Sequence, residues 1–191
     1  MKKSIVALSV LASLAFSGSA LAYGEGDHVL KGGVNISKPI ADGADSFDAG
    51  ASFAASYTYM ITENVGLELS ATTPAKYDED GIYDIKKSVY SAMVNYHFGD
   101  VESAVRPYVG AGLAYTHLSG EFFPGEFYET EVKGGIGGAF QVGLDWQATE
   151  NVIVGANVKY SVTQYKLEND YAKVEDTLGD VSATFSIGYS F

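Results

Sequence analysis

The sequence predicts an all-β fold, an eight-stranded antiparallel up-and-down transmembrane β-barrel, and three observations lead there. Apolar residues recur at every second position through eight separate segments, the period of a strand with two unlike faces. Short and long linkers alternate between those segments, the connectivity of an up-and-down barrel with two unlike ends. The face opposite the apolar one is mostly glycine, serine, threonine, alanine, asparagine and glutamine. That suits a crowded barrel interior, whereas a soluble barrel's water-facing surface is dense in charge.

The N-terminus reads as separate from the fold. Lys2 and Lys3 precede an apolar stretch, Ile5 to Phe16, and a small-residue site, Ala20-Leu21-Ala22. This is the layout of a secretory signal peptide cleaved after Ala22, and the apolar run is too short to span a bilayer comfortably. Residues 1–22 are therefore expected to be removed, leaving 23–191 as one barrel domain. The chain carries a net charge of −12, and losing two lysines makes the barrel domain more acidic still. Such a chain repels phosphate backbones, so nucleic acid is not an expected partner. Without cysteine there is no disulfide and no thiolate metal site. Charge alone suggests a soluble periplasmic protein; periodicity argues otherwise.

The first segment, His28 to Ser37, is the weakest, with Leu30, Val34 and Ile36 opposite Lys31, Gly33 and Asn35. Asp48 to Tyr59 and Val65 to Thr72 follow. Ser88 to Phe98 aligns Tyr90, Ala92, Val94, Tyr96 and Phe98, and Arg106 to His117 aligns Val109, Ala111, Leu113 and Tyr115. Gly134 to Ala148 sets Ile136, Phe140, Val142, Leu144 and Trp146 against Gln141, Gly143 and Asp145. Asn151 to Thr163 and Asp180 to Phe191 complete the eight, and the last ends on the chain's final residue. The 22 glycines and 14 tyrosines agree with strand structure. Short linkers fall at Ile61–Asn64, Gly99–Val105 and Ala148–Asn151. Long ones are expected at Pro39–Phe47, Thr73–Lys87, Leu118–Lys133 and Gln164–Gly179.

The lumen-facing polar residues are then Lys31, Glu68, Gln141, Asp145 and Lys159. Two acids and two bases in a low-dielectric interior are expected to pair with one another. On the apolar face, Tyr57, Tyr59, Tyr96, Phe98, Trp146, Tyr189 and Phe191 end the even-numbered strands at one rim beside the short turns. That is a periplasmic aromatic girdle. Tyr90, Tyr115 and Tyr160 make a thinner outer belt, and the long loops face outside the cell.

Several stretches carry a family likeness. "YMITENVGLELSATTP" (59–74), "HFGD" (97–100), "RPYVGAGLAYT" (106–116), "QVGLDW" (141–146) and the terminal "GYSF" resemble the OmpW family of small outer-membrane proteins. The resemblance runs in order across nearly all of residues 23–191. It implies localisation in a bacterial cell outer membrane, among lipid and lipopolysaccharide. It also implies a narrow, partly hydrophobic passage through which small hydrophobic solutes cross or escape sideways. The alternative is a structural or surface-interaction barrel, an adhesin or receptor, that displays four acidic loops. Members often carry a proline pair entering the fourth strand, which breaks strand pairing; "KKSVYSAM" stands there instead. A terminal aromatic such as Phe191 is, by the same resemblance, an assembly signal read by the periplasmic barrel-insertion machinery.

No cofactor or resident metal is expected, and no enzymatic activity. His28 and His97 fall near the inner rim and His117 near the outer one, so they do not converge. His117 with Asp78, Asp80 or Glu121 is the loosest of catalytic sets. The outer loops are acidic, interrupted by Lys76, Lys86, Lys87, Lys166 and Lys173, and "DED" lacks calcium-loop spacing. "GEFFPGEFYETE" (120–131) puts Phe122, Phe123, Phe127 and Tyr128 in a loop, as a binding surface or a plug. Val89 and Met93 sit on the inward face, either lining an apolar passage or filling the lumen.

Overall fold

The computed structural model describes residues 23–40, 49–79, 83–122, 130–168 and 173–191. The signal-peptide reading of residues 1–22 lies outside them, as do Asp80 and the aromatic cluster Phe123, Phe127 and Tyr128. Ten strand segments make up one sheet: β1 (His28–Ile40), β2 (Gly50–Met60), β3 (Val65–Thr72), β4 (Ala75–Glu79) and β5 (Tyr83–His97), then β6 (Val105–Phe122), β7 (Thr130–Lys133), β8 (Ile136–Gln147), β9 (Val152–Glu168) and β10 (Lys173–Ser190). β3 and β4 both pair with β5, and β7 and β8 both lie between β6 and β9. The ten segments therefore make eight staves, all antiparallel.

The sheet closes on itself. β1 pairs with β10 from Val29↔Ser190 to Ile40↔Gly179, so neither the first nor the last strand is left as an edge with unpaired N–H and C=O groups in hydrocarbon. The pairing continues past the last strand residue: Phe191 N–H donates to the His28 carbonyl, and His28 N–H to the Phe191 carbonyl, both at 2.9 Å. Side chains alternate through the wall as the period requires. Leu30, Val34, Phe53, Leu69, Leu113, Phe140, Phe185 and Ile187 point outward and are exposed, while Asn35, Ser52, Asn95 and Ser161 point inward and are buried.

Two staves are broken, and each break shifts the register by one residue. Ala71 faces Tyr90 and Ala75 faces Lys87, so Thr72, Thr73 and Pro74 oppose only Ser88 and Val89. That is a β-bulge, built around a proline that has no N–H for the ladder. Thr72 Oγ1 accepts from the Val89 N–H at 2.9 Å, and Thr73 Oγ1 from the Phe53 N–H at 2.9 Å. The bulge reverses which residues face inward, so Ala75 is buried. The β2–β3 register ends at Ala54↔Thr72, one more backbone bond running from the Thr73 N–H to the Phe53 carbonyl at 2.8 Å, and among the described residues β4 pairs with β5 alone. The second break lies at Gly134–Gly135, between Lys133↔Lys166 and Gly137↔Thr163.

The long linkers are shorter than the sequence suggests. Most of 73–87, 118–122, 164–168 and 173–179 is strand. There the backbone ladder continues while the apolar alternation that signals a strand stops. One loop residue is thereby reassigned: Lys87 is not on the acidic rim but buried in β5, ion-paired with Asp180.

Candidate functional site

The lumen is stacked in levels. At the short-turn mouth, the segment before β1 folds inward and places Tyr23 at 3% exposure against Val29, Met60 and Ile153. Its carbonyl accepts from Arg106 Nη1 at 2.6 Å, and the guanidinium lies 5.1 Å from its ring centroid. The second Arg106 nitrogen donates to the Glu63 carbonyl in the first short turn. His97 meets the Tyr23 ring edge-on at 5.5 Å and Tyr108 at 5.1 Å. Gly143, directly across from Tyr108, leaves room for that ring: a Cβ there would collide with Cζ. Together these side chains floor the barrel.

The floor is tied to an ion pair. Lys31 Nζ donates to both Asp145 oxygens at 2.6 and 2.5 Å, and the Tyr23 hydroxyl donates to Oδ2 at 2.6 Å. Burial, and then the Asp145 carboxylate, hold the Tyr23 phenol well above its ordinary pKa, so it stays a proton donor. Gly155 gives the pair its space, since a Cβ there would meet Asp145 Oδ1 at 2.8 Å. One level outward, Glu68 accepts from Asn95 Nδ2 at 2.9 Å and Gln141 Nε2 at 3.2 Å. Lys159 lies 4.0 Å from Glu68 and donates to Ser70 and Ser91 at 2.9 and 2.8 Å.

From Tyr108, Lys31 and Glu68 outward runs a cavity of about 50 Å³, room for roughly four waters. Serines 37, 52, 56, 182 and 186 line it, with Lys159 and Asn157. The buried Oδ1 of Asn157 has no partner in the protein. The Lys87–Asp180 pair borders the cavity toward the outer end. Val89 also lines it and packs against Met93, which at 2% exposure fills the lumen with Ala114 and Ala139. The bulge lies beside the cavity: Ala54 and Thr72 line it from within and a groove of about 510 Å³ from without.

The remaining sequence-selected residues spread around the wall. Tyr57, Tyr59, Tyr96, Phe98, Tyr189 and Phe191 are exposed on the outer surface near the short-turn rim, and Trp146 is half-buried there. His28 stacks with Tyr57, Tyr59 and Phe191 at 5.8, 5.1 and 5.6 Å, its Nδ1 hydrogen-bonded to the Tyr57 hydroxyl at 2.6 Å. His117 is exposed on the outer wall and paired across from Ser88. Asp78 and Glu121 lie in different hairpins, opposite Asp84 in β5 and Glu131 in β7. Among the described residues no group of three His, Asp or Glu side chains is placed to hold a metal ion.

The family model of OmpW matches residues 32–191. The chain belongs to the OmpW family. It is 31% identical to outer membrane protein W of Salmonella typhi and 29% identical to that of Escherichia coli strain K12, each over the full length of both chains. Among solved structures it is similar to OprG of Pseudomonas aeruginosa. There the TM-score is 0.71 at 22% identity, covering 90% of this chain and 99% of that one. Neisserial surface protein A gives a TM-score of 0.67 at 20% identity, covering 87% and 100%. This OmpW-family protein is an outer-membrane β-barrel, with its exposed apolar belt against lipid.

Sequence reading missed Tyr23, His97, Arg106 and Tyr108 in the floor. Arg106 and Tyr108 are in step with Gly110 and Gly112 on the inward face, a signal the pattern carried. Tyr23 had none, because it precedes the first strand and reaches the lumen only through the folded turn Gly24–Asp27. There the Gly24 N–H donates to Asp27 Oδ2 at 2.7 Å, and Gly26 has φ 89°.

Proposed function

We propose that this OmpW-family barrel passes small, largely apolar molecules through its outer half and sideways out of its wall, without catalysis. The observation that carries this reading is the pairing of a closed floor at the short-turn end with a broken stave further out, beside the cavity. Tyr23, Arg106 and Tyr108 obstruct the axis toward the periplasm. Beside the cavity, Thr72–Pro74 interrupts the ladder, and the outer groove there is lined by Phe53, Ala55, Ala71 and Tyr90. A solute with an apolar body and one polar group fits such a route. Asn157 Oδ1 offers its polar group an acceptor, Val89 an apolar contact, and the groove beyond is continuous with lipid. Pro74 supplies the stave break that "KKSVYSAM" does not.

Refolded protein in lipid vesicles tests this. Uptake of a fluorescent apolar solute should exceed that of protein-free vesicles, without matching small-ion conductance. Vesicles as tight to every apolar solute as protein-free ones would overturn the proposal. The closed floor also favours a second reading, a barrel that displays its outer loops to a surface partner. Replacing residues 123–129 by a short turn separates the two, because loss of partner binding with unchanged permeability favours display. In either reading, Phe191 serves as the element the periplasmic insertion machinery recognises.

A further inference from the structure

On the lipid-facing surface a trench runs over β2, β3, β5 and β6. Ala55, Ala71 and Ala92 form its floor, on outward positions where neighbouring strands carry large side chains. Leu69 and Leu113 flank it on one side and the stacked rings of Tyr90 and Tyr115, 6.3 Å apart, on the other. Two contiguous grooves of about 590 and 510 Å³ share Ala55, Ala71 and Tyr90. Leu113 in the inner groove and His117 in the outer one are four residues apart on β6, about 13 Å of strand, comparable to the ~15 Å depth of one hydrocarbon leaflet.

The two ends differ chemically. The inner end is bounded by Leu30 and Tyr57, while Ile136 lies beside Tyr115 on the other side. The outer end meets Thr73, Ser88 and His117. Lys86, exposed and two residues beyond Ser88 on the same face, stands just above it. Lys76 is the register partner of Lys86, and further out the wall becomes acidic with Asp78 across from Asp84. In a chain of net charge −12, this cationic step lies where the apolar trench ends and the acidic rim begins. An apolar slot capped by cations and hydrogen-bond donors has the polarity of one molecule type, an acylated lipid with a phosphate-bearing headgroup.

We propose that this trench is a binding site for a phosphorylated lipid of the outer leaflet, lipid A in chemical terms. One acyl chain lies over Ala55, Ala71 and Ala92, and a phosphate sits at Lys86 and His117. The site is on the outer wall and does not depend on any solute passing through the barrel, so its test uses binding alone.

Native mass spectrometry of the full folded barrel in detergent, titrated with diphosphoryl lipid A, measures it. Phosphatidylethanolamine and the deacylated glucosamine phosphate serve as comparison probes. One lipid A should be retained in preference to phosphatidylethanolamine, with the deacylated headgroup binding far more weakly. Lys86→Glu, an exposed change that leaves the fold intact, should weaken lipid A binding about tenfold or more by removing a charge-assisted contact. Ala92→Leu, which fills the trench, should reduce it as well while the folded gel mobility stays unchanged. Equal retention of lipid A and phosphatidylethanolamine would overturn the proposal. So would wild-type affinity in Lys86→Glu, or equal binding of the deacylated headgroup.

Discussion

Asp145→Asn removes the charge that Lys31 and Tyr23 share. The side chain is 1% exposed, and that of Lys31 is 8%. Both Asp145 oxygens accept from Lys31, and Oδ2 also takes the Tyr23 hydroxyl. The amide that replaces the carboxylate would still accept one hydrogen bond, but Lys31 would be left as a buried ammonium with no counter-charge. Breaking one side of a buried pair costs about 3–5 kcal/mol, a large share of the ~5–15 kcal/mol that holds an ordinary domain together. Lys31→Met combined with Asp145→Leu removes both charges and should recover most of that loss, because the desolvation penalty disappears with the attraction. The measurement is urea unfolding of protein refolded in vesicles, followed by the fluorescence of the single tryptophan, Trp146, and by the mobility of unheated samples on detergent gels. A double-mutant cycle of Lys31→Met, Asp145→Leu and the two together should give a coupling energy of about 2 kcal/mol or more. Single and double effects adding within ~0.5 kcal/mol would refute the reasoning, since that is the behaviour of independent sites.

Deleting Phe191 removes both backbone hydrogen bonds to His28 and the ring stacked on it; outer-membrane levels should fall sharply, and normal levels on fractionation would contradict the assembly role. Tyr23→Phe keeps the ring but loses the bond to an ionised acid, and should cost about 1.5–3 kcal/mol in the same urea assay. Tyr23→Ala opens the floor itself, so single-channel recording should show small-ion conductance above wild type; an unchanged trace would mean that Arg106 and Tyr108 close the mouth unaided. Gly143→Val places a Cβ where the Tyr108 ring now lies and forces that ring aside. It should destabilise by about 1–3 kcal/mol through overpacking, read as a lower urea midpoint.

The all-β class, the eight staves and their order were legible because a barrel wall separates two solvents. Lipid outside and a packed lumen inside impose period two on every strand, so Phe140, Val142 and Leu144 alternate with Gln141, Gly143 and Asp145 whatever their distant partners are. The signal failed where that asymmetry ends. The outer parts of β5, β6, β9 and β10 read as loops because the apolar alternation stops there although the backbone ladder continues. The bulge at Thr72–Pro74 shifts Ala75 inward, and only the register against β5 reveals that shift.

Sequence by itself determined which side chains share a face, since that depends on neighbours two residues apart. Which inward charges touch was decided by the closed sheet. Lys31 and Asp145 are 114 residues apart, and Lys87 and Asp180 are 93 apart; each pair meets only because strand stagger and tilt bring distant positions to one level. The floor is the extreme case. Tyr23 belongs to no strand, and its burial follows from a turn that folds back into a space left by Gly143, Gly155 and the curvature of the wall, a volume that exists only once all eight staves have closed.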